Sequence, residues 1–194
     1  GLAASYHFSD NSSVVRDYSG NYNDGVLYGS TVGLWHFDEG SGSTAYDSTG
    51  SGNDGTMTNM ESTDWVAGVS GTGLSFDGSN EFVSVPDDDS LDITDRITVS
   101  VWVKFSTVYE GYILSKGGDK YDLLTYSSDN GKISFYLAGM GSLKTPLAYN
   151  DGNWHHVVGT YDKDAGSDNR KLYVDGSLVA YDTQTIAITT DNYR

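Results

Sequence analysis

Three observations predict an all-β protein, a two-sheet antiparallel sandwich. Several segments alternate apolar and polar residues with the period of two that half-buried strands require. Asp-Gly and Asn-Gly pairs punctuate those segments, and such pairs supply the positive φ that tight hairpins need. Gly is plentiful at 24, Pro scarce at 2 and Tyr reaches 15, which suits short strands, tight turns and aromatic faces. At 194 residues the chain accommodates one β domain with an appendage, and a core of that size needs no disulfide. Cys is absent, which excludes thiolate metal sites as well.

The first expected strand is 34–37, followed by a Gly/Ser/Thr/Asp loop from Asp38 to Gly55. Residues 74–76 and 81–85 are expected to form a hairpin around Asp77-Gly78-Ser79-Asn80. The clearest strand is 97–105, whose odd-numbered members are all apolar while Trp102 alone breaks the polar face. Segments 112–116, 121–127 and 132–138 continue the meander, the last two joined at Asp129-Asn130-Gly131. Pro146 interrupts 143–147, which marks that segment as an edge or a loop-flanking strand. Residues 154–162 alternate again, and Asp175-Gly176 joins 172–175 to 177–181. Trp35, Phe37, Phe76, Val99, Val101, Val103, Phe135 and Trp154 are the expected core.

Four of these stretches, in order, resemble one family. They are Gly33-Leu34-Trp35-His36-Phe37-Asp38-Glu39-Gly40, the run from Leu74 to Pro86, Trp154-His155-His156-Val157 through Asp162, and Leu172-Tyr173-Val174-Asp175-Gly176-Ser177-Leu178-Val179. Together they are similar to the laminin-G-like, concanavalin-A-like jelly rolls of adhesins, pentraxins and sialidase lectin domains. The resemblance covers 33–194 and leaves 1–32 as an N-terminal extension. It implies a jelly-roll fold, an extracellular or cell-surface location, and a structural calcium near the Phe76-Asp77-Gly78 turn. It also implies two further strands beyond 186–194, so an open sheet edge is expected.

Charge and motif content narrow the function. A formal charge of −16 and a pI near 4.2 repel phosphate backbones, which excludes nucleic acid as a partner. No apolar run approaches the ~18 residues that span a bilayer, so membrane insertion is not expected. None of Glu39, Glu61, Glu81 and Glu110 begins an E-x-D-x-x-E glucanase pattern, and neither a G-x-S-x-G elbow nor an H-E-x-x-H motif occurs. His155 and His156 point to opposite faces of a strand and cannot share a ligand. The protein is therefore expected not to be an enzyme.

Two Asp-rich loops, one with Asp47 and one with Asp87 and Asp89, have the oxygen ligands calcium prefers, and with Asp77 they are the candidate metal residues. A solvated acidic surface accounts for the same composition. Sugar binding needs aromatic faces beside polar groups. Tyr112, Tyr121, Asp122 and Tyr149 are the leading candidates, drawn from a group that also holds Tyr109, Tyr126, Tyr136, Asp119 and Asn150.

The extension contains a repeat. Tyr6-His7-Phe8 lines up with Trp35-His36-Phe37, and the run from Asp17 to Leu27 lines up with that from Asp47 to Met57. A spare opening strand beside an open edge predicts self-association by strand exchange, with Tyr6, Phe8, Val14, Val15 and Leu27 buried on a neighbour and a surface filament as the outcome. The alternative is a carbohydrate-binding lectin-like module from a larger surface protein, with cell-surface glycans or proteins as partners.

Overall fold

The computed structural model describes Val14–Val15, Gly25–Val26 and residues 31–107, 110–117 and 120–189. In chain order its strands are β1 (Val14–Val15), β2 (Gly25–Val26), β3 (Thr44–Ala45), β4 (Gly55–Thr58), β5 (Trp65–Ala67), β6 (Thr72–Leu74), β7 (Phe82–Ser84) and β8 (Arg96–Val103). There follow β9 (Gly111–Ser115), β10 (Tyr121–Thr125), β11 (Ile133–Leu137), β12 (Gly141–Lys144), β13 (His155–Asp162), β14 (Arg170–Val174) and β15 (Ser177–Asp182). Two compact units result. One holds Gly1–Ser75 with Val83–Val85, and the other Phe76–Phe82 with Pro86–Arg194.

The second unit is a sandwich of two four-stranded antiparallel sheets, β12-β11-β10-β9 and β15-β14-β13-β8. Alternation decides the inward faces, so Ile97, Val99, Leu123, Ile133, Phe135, Val157 and Leu172 share one buried cluster. Val101 and Val103 pack against it part-buried. At one point the sheets meet through a missing side chain. A Cβ on Gly159 of β13 would lie 2.7 Å from the Phe135 ring of β11, so the ring lies directly on backbone. Gly159 has no left-handed φ, and its lack of a side chain serves the Phe135 contact.

Both expected turns have the geometry their residues suggest. Asp175 (φ 50) and Gly176 (φ 76) link β14 to β15, and Asn130 (φ 52) with Gly131 (φ 88) precedes β11. As expected, β12 ends its sheet. Where β12 lies against β14 and β15, the buried Arg170 donates from Nε to Asp182 Oδ1 at 2.9 Å and from Nη1 to the Gly141 carbonyl at 2.6 Å. Burial alone would raise the Asp182 pKa, but hydrogen bonds from Arg170 and Gln184 outweigh it and lower the value.

The first unit departs from expectation. Residues 34–37 form no strand; only Trp35 makes an isolated bridge, to Asp47. The cause is side-chain competition for the backbone. Asp47 Oδ1 accepts the Leu34 N–H at 3.0 Å, the Trp35 indole donates to the Asn53 carbonyl at 2.8 Å, and Phe37 turns to φ 56. The expected hairpin of 74–76 with 81–85 is absent too. Leu74 instead pairs with Trp65 in the β5-β6 ribbon, and β7 joins the three-stranded sheet β3-β4-β7. Phe76, expected in the core, is 48% exposed. Trp35, Phe37 and Trp154 are part-buried and lie outside the buried cluster.

The histidine pair stands at the start of β13. His155 contacts Asp175 through Nδ1 at 2.8 Å and Asp151 through Nε2 at 3.1 Å. Burial pulls its pKa down, but the two carboxylates outweigh burial and raise it. On the other face, His156 Nε2 lies 2.8 Å from Ser100 Oγ and its ring stacks on Trp102 at 5.0 Å. Burial lowers its pKa against a smaller opposing pull from Asp175.

Two outcomes follow. Gly159→Ala forces the Phe135 ring away at a cost of ~2 kcal/mol, which lowers the melting temperature by roughly 4–8 °C; an unchanged melt contradicts the contact. Protonated His155 favours the folded state, so its contribution is complete below about pH 6.5 and is lost as pH rises through its raised value. His156 is held neutral, so folding is opposed as pH falls from about 6.5 through its lowered value. Melting temperature recorded from about pH 5 to 8.5 therefore peaks near the ordinary histidine value of ~6.5. His155→Gln flattens the alkaline limb and His156→Gln the acidic one, and a profile unmoved by either variant rejects this assignment.

Candidate functional site

Because Leu123 and Phe135 face the buried cluster, strand alternation turns Asp122, Leu124, Ser134 and Tyr136 to the opposite face of their sheet. Cross-strand pairing sets Asp122 beside Tyr136 and Leu124 beside Ser134. A bulge brings in the next residue. Leu123 pairs with Leu114 but Leu124 with Tyr112, so Ile113 is the extra residue and Tyr112 arrives on the outer face. Tyr126, just past β10, completes the set.

These side chains wall a cleft. A hollow of about 140 Å³ is lined by Tyr112, Asp122, Leu124, Tyr126 and Tyr136. A second, of about 360 Å³, shares Tyr112, Leu124 and Tyr126 with it and adds Glu110 and Gly111. Tyr112 is 61% exposed while Asp122 is 2% exposed, so an exposed aromatic wall stands over a buried polar group. Beside Leu124, the fully buried Ser134 Oγ makes no hydrogen bond among the described residues. Lys144 Nζ sits 5.0 Å from the Tyr126 ring centroid and 2.7 Å from Asp129 Oδ2, steadying that ring by a cation–π contact. Aromatic faces over buried polar atoms suit a ligand with one apolar face and a polar rim.

Of the expected sugar-binding residues, Tyr112 and Asp122 meet in this cleft. Tyr121 is turned to the core, where its hydroxyl donates to the Leu91 carbonyl at 2.9 Å and burial, assisted by Asp92, pushes its pKa up to about 12. Tyr149 stands edge-on to His155 with ring centroids 5.0 Å apart. Leu124 and Ser134 went unanticipated, although the parity of Leu123 and Phe135 signals both. Tyr109 and Asp119 lie outside the described residues, as do Tyr6, Phe8 and Leu27.

The expected calcium ligands are engaged separately. Asp47 accepts hydrogen bonds from the backbone of Leu34, Thr49 and Asn53 and from the Thr49 hydroxyl. Burial would raise its pKa, but these donors prevail and lower it. Asp77 accepts the Ser79 N–H at 2.7 Å, Asp87 pairs with Lys116, and Asp89 opens a short 3-10 turn behind its capping neighbour Asp88. Among the described residues no three His, Asp or Glu side chains gather as ligands of one ion. Among the described residues, too, no helix is long and apolar enough to cross a membrane.

Comparison with known proteins follows the sandwich. A solved structure, residues 221–444 of an S-layer domain-containing protein from Clostridium thermocellum ATCC 27405, is 26% identical over 78% of this chain and 72% of that chain, with a TM-score of 0.48. No curated protein matches the chain. The laminin G model described as the concanavalin A-like lectin/glucanases superfamily matches residues 77–194, more than half of the chain and nearly the whole sandwich unit, and the protein, an all-β jelly roll, belongs to that superfamily.

Proposed function

We propose that this protein is a non-catalytic module of the cell surface or extracellular space that holds a neutral carbohydrate in the tyrosine-walled cleft. The observation that carries this reading is the convergence of Tyr112, Tyr126 and Tyr136 on the buried Asp122. A pyranose ring laid against Tyr112 removes apolar C–H surface from water at about 25 cal/mol per Å². Its hydroxyls meanwhile meet Asp122, which lines the smaller hollow. The charge of −16 disfavours anionic sugars such as sialic or uronic acids. Extracellular glycans are the supply that matches both the cleft and the family.

The test is titration of neutral oligosaccharides by calorimetry, after a glycan array has chosen the series. Tyr112→Ala weakens binding at least ~10-fold, in line with the ~1.4 kcal/mol equivalent of such a factor. Its melting temperature stays at the parental value, because Tyr112 is mostly exposed. Absence of binding to any neutral glycan at millimolar concentration rejects the proposal. Glu110 and Asp122 line the two hollows, so the glycan is also recovered after incubation. Intact sugar supports a binding module, whereas cleavage makes the protein a hydrolase.

A further inference from the structure

The repeat in the sequence has a counterpart in strand pairing. In the second hairpin Thr44 pairs with Thr56 and Ala45 with Gly55. In the first, Val14 pairs with Val26 and Val15 with Gly25, so every partner is displaced by the same thirty residues. In the sequence, the loop residues of the second hairpin have counterparts thirty positions earlier. Asp47, the hub of that loop, corresponds to Asp17, and its hydroxyl donor Thr49 to Ser19. Asn53, whose side chain donates to the Val32 carbonyl, corresponds to Asn23. Asp54, which accepts the Asp47 N–H, corresponds to Asp24.

Gly55 is the informative position. It has no left-handed φ, so the hairpin itself does not require glycine there. A Cβ at Gly55 would instead lie 2.6 Å from Val83 Cγ1 of β7 and 3.5 Å from Val85 Cγ2. The glycine exists for the third strand of its sheet. The first hairpin keeps Gly25 at the matching place, although β1 and β2 form a two-stranded sheet of their own. A glycine weakens a strand unless something must approach it closely.

We propose that the β1-β2 hairpin is a second occupant for β7, taken up by the β7 of a second copy of this chain in place of that copy's β3-β4 hairpin. Among the described residues either arrangement leaves one hairpin per chain without a third strand, so the exchange conserves pairing and needs little net free energy. Val15, larger than the fully buried Ala45, is the position where the site must give. One chain's first hairpin in the next chain's second position is a heterologous contact, which propagates head to tail. This inference is independent of the glycan cleft.

The test exploits the absence of cysteine. Ser84 Oγ lies 3.4 Å from the Thr56 carbonyl, so a chain with Thr56→Cys and Ser84→Cys is the control for an internal cross-link. A Val26→Cys chain is mixed with a Ser84→Cys chain, cycled through partial unfolding to allow exchange, and oxidised. The expected result is a covalent heterodimer, lost when Gly25→Val is added to the first chain. Valine is a better strand residue than glycine, so that loss reports the approach of Val83 and not a broken hairpin. Failure to form the heterodimer while the control closes overturns the proposal. So does a heterodimer that survives Gly25→Val, or a single chain carrying Val26→Cys and Ser84→Cys that closes internally at high dilution.

Discussion

The contact on which the sandwich depends is the Phe135 ring against the bare backbone of Gly159. Sheets packed face to face stand about 10 Å apart because side chains from both interdigitate. At Gly159 one sheet contributes nothing and the other contributes its largest fully buried side chain. Phe135 is thereby set at a depth that its neighbours Leu123 and Ile133 complete. The same placement fixes the alternation of β10 and β11, since a strand with one residue inward must turn the next outward. The cleft on the far face is a by-product of this packing.

This explains how much of the site was legible in the sequence. The alternation of 97–105 and 154–162 and the Asp-Gly and Asn-Gly turns fixed the fold class and most strands of the sandwich. Applying the same parity to 121–125 separates Asp122 and Leu124 from Tyr121, and that step locates the cleft. Tyr112 is different: regular alternation would place it with Leu114, and only the bulge at Ile113 brings it outward. A bulge leaves no mark in a hydrophobic pattern. Tyrosine compounds the difficulty, because it serves equally as a core residue with a satisfied hydroxyl, as at Tyr121, and as a wall.

The first unit was less legible for another reason. Residues 34–37 alternate like a strand, yet the Asp47 side chain takes the Leu34 N–H and the Asn53 side chain takes the Val32 carbonyl just before them. Periodicity states which residues share a face. It does not state which neighbour wins the backbone. The same gap hides the fate of 74–76, of which only Leu74 is in a strand, paired with Trp65.

Arg170 has a consequence for how the sandwich comes apart. Its guanidinium binds Asp182 on its own sheet and the Gly141 carbonyl at the start of β12 on the other, so the sheets are stitched along one margin. A guanidinium keeps its proton at any pH a protein survives, so alkali cannot cut the stitch. Acid loosens it by neutralising Asp182, which leaves only neutral acceptors to hold the guanidinium, but only below the ordinary carboxylate range because the Asp182 pKa is held low. The two sheets therefore have a spine and a fore-edge, like the covers of a book. A pull on the module opens it from the margin away from Arg170, leaving the bound margin to part last.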